Sequence, residues 1–506
     1  MAHFLFVNPS TRDSKGATSL ALTIPPIGLA YLAAAIEPRG HSAQIIDANK
    51  EGIFSGEIAA YVSRKPDVIG ITANILTIKI AVVYAKVLKA AYPQAQVLFG
   101  GPHVSVMGQV LLERYSVVDA LVLGEGEATI AELAERVGQE DMYAGVPGVI
   151  FRIDSQIVNN GPRPLIADID LISRPAYHLL PHLSSYRTRS RAYPVGYVFT
   201  SRGCPAACTF CYRNFGTKWR ARSPENIIEE IAFLREKYGI RQLDILDDNF
   251  SFDADRARRI LEMIIAKRWD LKINLQIGVR IHSLNGDLLN TMKRAGVFKF
   301  GFGIESGDEA MLKRIKKGLD LDRAIEIVRI ARSLDIVTHG YFIIGFPGDS
   351  TETMQRTIDF AKQLDSHYAS FSICTPLPGT EMYNDIARYG TFLEDVSDGI
   401  DEGLFALKVF FQYGDTKPEQ VVQYCERAWK EFYFRPRKII DVLTTIRSRG
   451  ELLWLMRVIA DMARTKKSKE KKFLIRINGW DIYFIVIVLL YIMWRAKVFF
   501  ERFVSH

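Results

Sequence analysis

The stretch Ser201-Arg-Gly-Cys-Pro-Ala-Ala-Cys-Thr-Phe-Cys-Tyr212 decides how this chain of 506 residues is interpreted. It places Cys204, Cys208 and Cys211 in one short segment with the spacing C-x3-C-x2-C. Three thiolates so close together can bind three irons of a [4Fe–4S] cluster. Because most clusters have four cysteine ligands, one iron would stay open for a small molecule. The spacing differs from the C-x2-C pairs of structural zinc sites, and a zinc loop or a chance grouping is the alternative.

The cysteine segment, with Phe210 directly before its third cysteine, resembles the cluster loop of the radical S-adenosylmethionine (SAM) superfamily. The resemblance implies that the three cysteines hold a [4Fe–4S] cluster and that SAM binds the open iron through its amino and carboxylate groups. Reductive cleavage of SAM would then produce a 5′-deoxyadenosyl radical. Phe210 and Tyr212 are expected to shield the cluster, and Phe210 also to belong to the SAM site, since solvent access modulates a cluster's reduction potential.

The other cysteines and the N-terminus indicate a reducing compartment. The chain has five cysteines, whereas a secreted disulfide protein would have more, in pairs spread along the sequence. Cys374 and Cys425 are isolated and are expected to be small buried hydrophobes, although Cys374 precedes a loop that we place beside the active site. Residues 1–7 predict a strand and lack the features of a signal peptide, so a cytoplasmic location is expected.

The formal net charge of +8 is unevenly distributed. Residues 464–476 are dominated by lysine and arginine and carry most of it, so the rest of the chain is nearly neutral. An enzyme that acts on nucleic acid more often spreads basic residues across a face. We therefore expect no nucleic-acid partner.

The first 140 residues alternate short apolar runs with helical patterns. Residues 3–7, 43–47, 68–72, 96–99 and 120–123 predict strands, because they are rich in Val, Ile, Leu and Phe. The alternation indicates an α/β fold with a doubly wound, Rossmann-like parallel sheet. In such sheets, ligands bind at the carboxyl ends of the strands.

Three motifs in this region resemble the cobalamin-binding domain of a large radical SAM subgroup. They are Pro25-Pro-Ile-Gly-Leu-Ala-Tyr-Leu32, Gly100-Gly-Pro-His103 and Gly124-Glu-Gly-Glu127. The resemblance implies a cobalamin-binding domain over residues 1–140, with a site formed by Thr72, Asn74, Gly100, Gly101, His103, Gly124, Glu125 and Gly126. Glycines at strand ends let the backbone approach a ligand closely. No G-x-G-x-x-G motif follows the first strand, so a dinucleotide is not favoured.

Cobalt ligation is expected to differ from that of cobalamin mutases. Those proteins carry a D-x-H-x-x-G motif after the first strand, and its histidine binds cobalt, whereas residues 8–16 here contain no histidine. By analogy with radical SAM relatives that also lack the motif, cobalamin would bind with its base displaced and without a protein histidine on cobalt. His103 is an alternative ligand, although a loop residue near the corrin is the simpler interpretation.

Residues 195–390 again alternate strands and helices, after a connector over residues 141–194 that includes a predicted hairpin around Asp154. The pattern contains six strand–helix units, with the cysteine loop directly after the first strand. Six units match the partial (β/α)6 barrel of radical SAM enzymes. The active site is expected at the carboxyl ends of the strands, where barrel enzymes place it.

Motifs at the later strand ends supply the expected SAM site. By resemblance, Glu305 and Gly303 in Gly301-Phe-Gly-Ile-Glu-Ser306 contact SAM, and Gly345 in Gly345-Phe-Pro-Gly-Asp349 borders its adenine. Arg280 is expected to bind the methionine carboxylate bidentately, and Asp247 to position the SAM amino group. The alternatives are ordinary ion pairs for Glu305 and Arg280, and a helix cap for Asp247.

The C-terminal part predicts a helical domain over residues 391–463, expected to cap the substrate site, and a tail over residues 464–506. In the tail, the basic run precedes an apolar segment, residues 482–494, which aromatic residues bracket. This segment is shorter than the ~20 residues of a membrane-spanning helix. Peripheral attachment to the inner face of a membrane is therefore expected, with a buried or dimer-forming helix and a spanning helix as alternatives.

Together these patterns predict a cobalamin-dependent radical SAM enzyme. By resemblance, it methylates an unactivated carbon of a small molecule through a 5′-deoxyadenosyl radical and methylcobalamin, without catalytic side chains beyond the cofactor ligands. The tail favours a hydrophobic substrate, and the cluster requires an electron donor such as flavodoxin or ferredoxin. An anaerobic oxidative ring-forming cyclase of the tetrapyrrole type is the alternative, and a cobalamin sensor without catalysis, which needs no cluster, is a remote one.

Overall fold

The computed structural model describes residues 1–10, 23–186, 190–276, 278–397, 399–400, 408–448 and 451–452. Within these ranges the chain forms two large parallel sheets, one in each half, and a C-terminal region that packs on the second. Of the predicted helical domain over residues 391–463, residues 398, 401–407, 449–450 and 453–463 lie outside the described residues, and so does the whole tail over residues 464–506. Within the described part, no helix is long and apolar enough to span a membrane.

Seven strands form the N-terminal sheet, and six helices accompany them. The strands are β1 His3–Asn8, β2 Ser42–Asp47, β3 Val68–Thr72, β4 Gln96–Gly100, β5 Ala120–Val122, β6 Val149–Ile153 and β7 Gln156–Asn159. The helices are α1 Ile27–Ile36, α2 Ala48–Glu51, α3 Ile78–Ala91, α4 Pro102–Met107, α5 Gln109–Arg114 and α6 Glu127–Arg136. The spatial order is β2-β1-β3-β4-β5-β6-β7, in which the first five strands are parallel and β6 and β7 form an antiparallel hairpin. The predicted parallel strands are confirmed, and the hairpin carries the sheet past residue 140 into the segment expected to be a connector.

Alternating side chains of the N-terminal strands face two helical layers. Phe4 and Phe6 pack with α1 and α6, whereas Leu5 and Val7 pack with α3 on the opposite face. Because both faces are covered, the strands are continuous apolar runs, and this is why the sequence pattern identified them. The carboxyl ends of these parallel strands meet at one edge, where a doubly wound sheet binds ligands.

The second half of the chain contains a six-stranded parallel sheet and its crossover helices. Its strands, with one short pair, are β8 Val195–Val198, β9 Ser201–Arg202, β10 Arg220–Ala221, β11 Gln242–Ile245, β12 Lys272–Leu275, β13 Val297–Glu305, β14 Val337–Ile344 and β15 Tyr368–Ile373. The helices are α7 Pro224–Tyr238, α8 Ala254–Lys267, α9 Gly286–Ala295, α10 Glu309–Arg314, α11 Leu321–Ser333 and α12 Thr351–Leu364. The sheet order β15-β14-β13-β12-β11-β8 follows the sequence, with β8 and β15 as edges, so the partial (β/α)6 barrel is confirmed. The pair of β9 and β10 is antiparallel and lies at the base of the cysteine loop.

Short polar side chains determine where the barrel helices begin. At six helices, the residue before the first turn accepts a hydrogen bond from a backbone N–H of that turn, as is usual for N-caps. These residues are Ser223, Asp253, Asn285, Asp308, Asp320 and Ser350. Since Asp253 caps α8, the alternative in which Asp247 caps this helix is wrong.

The described C-terminal region is mainly helical and covers the edge of the barrel sheet. It contains α13 Glu381–Tyr389, β16 Thr391–Phe392, β17 Phe411–Gln412, α14 Pro418–Tyr433 and α15 Pro436–Thr444. Helix α14 packs against β15 and α12 through a buried face that includes Cys425 and Phe432. Cys425 is fully buried, so the prediction of a small core residue is confirmed at this position.

Candidate active site

The base of the cysteine loop depends on a backbone conformation that favours glycine. Gly203 has a φ of +86°, and a Cβ atom there would lie 2.3 Å from the carbonyl oxygen of Lys218. Farther along, the Thr209 N–H donates to the carbonyl of Ile315 at 3.1 Å. The loop therefore contacts its own returning chain at Lys218 and the residue that follows α10, Ile315.

The three thiols of the loop are close enough to interact electrostatically. Partial desolvation by the surrounding protein, followed by the nearby Cys208 and Cys204 thiols, raises the pKa of the Cys211 thiol to about 11. In a [4Fe–4S] cluster each thiolate binds a different iron, so the thiolates need not converge on one point, and this donor set fits a cluster. Among the described residues, no group of three His, Cys, Asp or Glu side chains is arranged to hold a single metal ion.

Phe210 anchors the cysteine loop to the motif after β14. Its ring centroid lies 5.4 Å from that of Phe346, and both rings belong to an apolar cluster with Cys374 and Met382. Cys374 is 2% exposed, with its sulfur 3.5 Å from that of Met382. Cys374 is thus a buried hydrophobe, as expected, and it packs in the layer that supports the loop.

Asp247 has a structural role that the sequence did not predict. Its carboxylate is fully buried, accepts the Thr200 N–H at 2.6 Å and accepts the Ser201 hydroxyl at 2.6 Å. These bonds engage both carboxylate oxygens and tie the end of β11 to the start of the cysteine loop, and a contact with the SAM amino group stays a prediction. The next residue, Asp248, accepts a backbone hydrogen bond from Gly203 and raises the pKa of Cys211, so this acid lies nearer the cluster site.

A buried ion pair lies at the carboxyl end of β13. Glu305 has a left-handed φ of 70°, and its Oε1 accepts a hydrogen bond from Nζ of Lys317 at 2.7 Å. The side chains are 10% and 14% exposed, so this is not the surface ion pair of the alternative. A Cβ atom at Gly303 would lie 2.0 Å from Oε1, so this glycine makes room for the pair. A non-glycine residue with such a φ costs ~1–2 kcal/mol, which suggests that the position of Glu305 is functionally constrained.

Lys317 was not predicted as a site residue, but it contacts two residues that were, Glu305 and Arg280. Its backbone carbonyl accepts a hydrogen bond from the Arg280 guanidinium at 3.0 Å, and its charge lowers the pKa of Cys211. Arg280 makes no ion pair with a carboxylate of the described chain, so the salt-bridge alternative for this residue finds no support. Arg280, Lys317 and Glu305 therefore form one charged group beside the cysteine loop.

Of two further residues near the strand ends, Asn249 has polar atoms that a ligand could bind, whereas Gly345 packs against a helix. Asn249 is fully buried, and neither polar atom of its side chain has a hydrogen-bond partner among the described residues. A buried amide without partners is costly, which fits a residue completed by a bound ligand. At Gly345, by contrast, a Cβ atom would lie 2.4 Å from Val421 of α14, so this glycine permits helix packing. Its contact with SAM stays a prediction.

A cavity of about 300 Å³ lies at the carboxyl edge of the N-terminal sheet. Its wall includes six of the predicted cobalamin residues, namely Thr72, Gly100, Gly101, Gly124, Glu125 and Gly126. No protein atom lies within 4 Å of where a Cβ atom of Gly28 or Gly124 would be, so the missing side chains leave room for a ligand. The lining is mainly apolar, as is usual for the buried part of a cofactor site, and it fits a corrinoid.

Two predicted cobalamin residues do not line this cavity. Asn74 accepts hydrogen bonds from the N–H groups of Leu76 and Thr77 and so stabilises the turn before α3. His103 is buried in the first turn of α4 and is absent from the cavity wall. The structure therefore gives no support to His103 as a cobalt ligand. The prediction of cobalamin without a protein histidine on cobalt stays open to experiment.

Comparison with known proteins agrees with this geometry. Residues 198–361 match the Radical SAM superfamily, and residues 15–134 match the B12 binding domain. The fold and the site thus define a radical SAM enzyme with a corrinoid domain. The chain belongs to the radical SAM superfamily, and its cofactors are a [4Fe–4S] cluster, SAM and cobalamin.

Individual relatives cover most of the chain. An uncharacterized methyltransferase from Pyrococcus horikoshii is 35% identical over 443 residues, which are 86% of this chain and 93% of the relative. An anaerobic magnesium-protoporphyrin IX monomethyl ester cyclase from Cereibacter sphaeroides is 27% identical over 391 residues, 76% of this chain and 63% of the relative. The structure of the radical SAM methyltransferase TsrM from Kitasatospora setae, with cobalamin and a [4Fe–4S] cluster bound, has a TM-score of 0.66 at 20% identity. The match covers 88% of this chain and 89% of TsrM and shows a shared fold.

Proposed function

We propose that the protein transfers a methyl group from cobalamin to an unactivated carbon of a small molecule. The observation that carries this proposal is the shared wall of the two cofactor sites. Phe199, Arg202, Asn214 and Phe215, which flank or belong to the cysteine-loop region, line the corrinoid cavity together with the strand-end loops of the N-terminal sheet. A corrinoid and a cluster held on the two sides of this wall would both be near one substrate carbon.

The residues at the barrel edge have distinct roles in this proposal. When bound, the cluster and SAM supply a radical that removes hydrogen from the substrate, and the corrinoid supplies the methyl group. Cys204, Cys208 and Cys211 would hold the cluster. The guanidinium of Arg280 and the ammonium of Lys317 would neutralise the carboxylate of SAM.

Water exclusion is the second task of the protein, because a reactive radical must meet only the intended carbon. Phe210 and the apolar cluster around Phe346 cover the cysteine loop from the side of β14. Cys211 is exposed, whereas Cys204 is half-buried and Cys208 is buried. We infer that electrons from a donor such as flavodoxin or ferredoxin arrive on the side of Cys211.

Ring formation by a tetrapyrrole-type cyclase is the second candidate, and the similarity to the Cereibacter sphaeroides cyclase favours it. Anaerobic turnover with methyl-labelled SAM, read by mass spectrometry, separates the two functions. A methyltransferase adds a labelled methyl group to its product and releases S-adenosylhomocysteine. A cyclase produces 5′-deoxyadenosine and a product that has lost hydrogen without gaining the label.

We further propose a hydrophobic substrate and peripheral membrane attachment, both on the composition of residues 464–506. Each basic residue near an anionic surface contributes ~1 kcal/mol, and a basic run with an apolar insert gives reversible attachment. The full chain should sediment with anionic vesicles, less so at high salt. A chain that ends at residue 463 should stay in the supernatant and still cleave SAM. Failure of that chain to fold would instead assign the apolar segment to the core.

A further inference from the structure

Four charged side chains meet between the corrinoid domain and the cysteine loop. Glu125 and Glu127 come from the loop after β5 and the start of α6, whereas Arg202 and Arg220 face each other on β9 and β10. Arg202 donates to Oε1 of Glu125 at 3.0 Å and to Oε1 of Glu127 at 2.6 Å. Arg220 donates to Oε2 of Glu125 at 2.8 Å. We call this group the interdomain clamp.

The interdomain clamp is almost entirely buried, and Arg202 and both glutamates also line the corrinoid cavity. Its four side chains are between 3% and 11% exposed. The rings of Tyr31 and Phe215 lie over the Arg202 guanidinium, with centroids 5.2 and 5.0 Å away. Burial opposes ionisation of Glu125, but the hydrogen bonds from Arg220 and the charge of Arg202 outweigh it and hold the pKa of this carboxyl below its usual value.

Such an arrangement is a poor means of adding stability. Removing charges from water costs several kcal/mol per ion, and well-packed apolar residues can replace buried ion pairs without loss of stability. What the arrangement offers is a defined geometry, because a guanidinium binds carboxylates only in fixed directions. Arg202 links two carboxylates at once, so it restricts both distance and orientation.

Both cofactor sites depend directly on this geometry. Gly124 and Gly126, on either side of Glu125, line the corrinoid cavity, and so does Arg202 itself. Arg202 is separated from Cys204, the first cysteine of the loop, only by Gly203, which packs closely against the returning chain at Lys218. A shift of the interdomain clamp would therefore move the corrinoid domain relative to the cysteine loop.

We propose that Glu125, Glu127 and Arg202 are positioning residues that set the distance and orientation between cobalt and the [4Fe–4S] cluster. The Gly-Glu-Gly-Glu motif then contributes its glycines to the corrinoid cavity and its acids to the contact between the domains. This inference rests on the proposed function, in that both cofactors must be bound. It adds a role to the one predicted for Glu125, because its carboxylate binds two arginines while the residue also lines the corrinoid cavity.

The test uses the full chain loaded with both cofactors. After partial reduction, cob(II)alamin and the reduced cluster are both paramagnetic, so their spin–spin interaction reports their separation without any substrate. We would compare the double variant Glu125→Gln/Glu127→Gln and the single variant Arg202→Lys with the unmodified protein. Lysine keeps the charge and favours folding, but its single ammonium cannot reproduce the fork that joins two carboxylates.

Asp441→Asn is the matched control. Asp441 is 14% exposed and also pairs with two cations, Arg332 and Lys438, each at 2.8 Å, but these residues belong to α11 and α15 and do not join the two domains. This variant therefore shows how far the loss of a buried carboxylate alone changes the spin–spin interaction. Iron and corrinoid content, measured for every variant, show whether both cofactors are still bound.

The expected result is an altered or broadened spin–spin interaction in Arg202→Lys and in the double variant, with iron and corrinoid content within about twofold of normal. Asp441→Asn should leave the interaction unchanged. An interaction identical to that of the unmodified protein in Arg202→Lys would overturn the proposal, and so would an equal change in Asp441→Asn. If the unmodified protein binds no corrinoid, the proposed function itself fails, and this outcome is distinguishable because it needs no variant.

Discussion

Replacing Lys317 with methionine should weaken SAM binding by about 10- to 100-fold, because a hydrogen bond between charged groups contributes ~1.5–3 kcal/mol and each 1.4 kcal/mol is a factor of ten in Kd. The structure places this ammonium 2.7 Å from Glu305, at 14% exposure, beside Arg280 and the cysteine loop. Its removal would also leave the buried Glu305 carboxylate without a counter-charge, and that carboxylate would repel the carboxylate of SAM. Both effects weaken SAM binding.

The assay is a titration of SAM into the anaerobic, reduced protein, followed by the electron paramagnetic resonance signal of the cluster. Lys316→Met is the matched control, because Lys316 is 50% exposed and pairs with Glu381 at the surface. Its Kd should stay within about twofold of normal, since exposed ion pairs contribute little. Lys317→Arg keeps the charge and should bind SAM more tightly than Lys317→Met. An unchanged Kd in Lys317→Met, with the cluster intact, would refute the assignment.

Three further predictions follow from individual residues. Cys208→Ala should abolish the [4Fe–4S] cluster and the release of 5′-deoxyadenosine from SAM, because it removes one of three protein ligands. The control Cys425→Ala, on the buried face of α14, should keep both. Iron analysis and product assays measure the two effects. Gly28 lines the corrinoid cavity, and a Cβ atom there would have no protein atom within 4 Å, so the protein with Gly28→Leu should stay folded. The rest of the leucine side chain would occupy space that the corrinoid needs, and corrinoid binding should be lost in an optical titration. The control Gly286→Leu, at a helix start with equal space around its Cβ atom, should bind normally. Burial and then Arg332 lower the pKa of His367 to about 4, from 6.5. The unfolded chain therefore binds this proton at higher pH than the folded one, and the free energy of unfolding should fall by about 2 kcal/mol between about pH 7 and 5 from this group. Denaturant titrations of His367→Gln should lack that part of the fall, and an identical pH slope in both proteins would contradict the assignment.

Much of the fold was predictable because local patterns carry it. Strands such as His3–Asn8 and Val68–Thr72 are largely apolar runs that the first sheet buries on two faces, so the apolar pattern alone identified them. The cysteine loop was predictable for a related reason, since its ligands lie within eight residues of one another. The predicted domain boundary at residue 140 does not coincide with the end of the first sheet. The hairpin from Val149 to Asn159 joins that sheet through strand pairing that no local pattern specifies.

The functional carboxylates illustrate where sequence reasoning stops. Asp247 and Glu125 both follow predicted strands, and both were assigned to cofactors because their positions resemble cofactor-contacting positions of radical SAM relatives. Asp247 instead binds Ser201, and Glu125 binds Arg202, at sequence separations of 46 and 77 residues. Lys317 was missed because it follows a short helix and becomes relevant only through its contact with Glu305.

Local features of the sequence were enough to predict the two parallel sheets, the three cysteines expected to bind the cluster and the glycine-rich loops of the corrinoid cavity. These predictions rest on apolar patterns, on ligand spacing within one loop and on backbone freedom at single positions. The pairing of acids with bases could not be predicted in this way: Asp247 supports the cysteine loop, Lys317 pairs with Glu305, and Glu125 connects the two domains. A carboxylate can bind many different cations and N–H groups, and the packing of distant elements selects the partner that comes within hydrogen-bond distance.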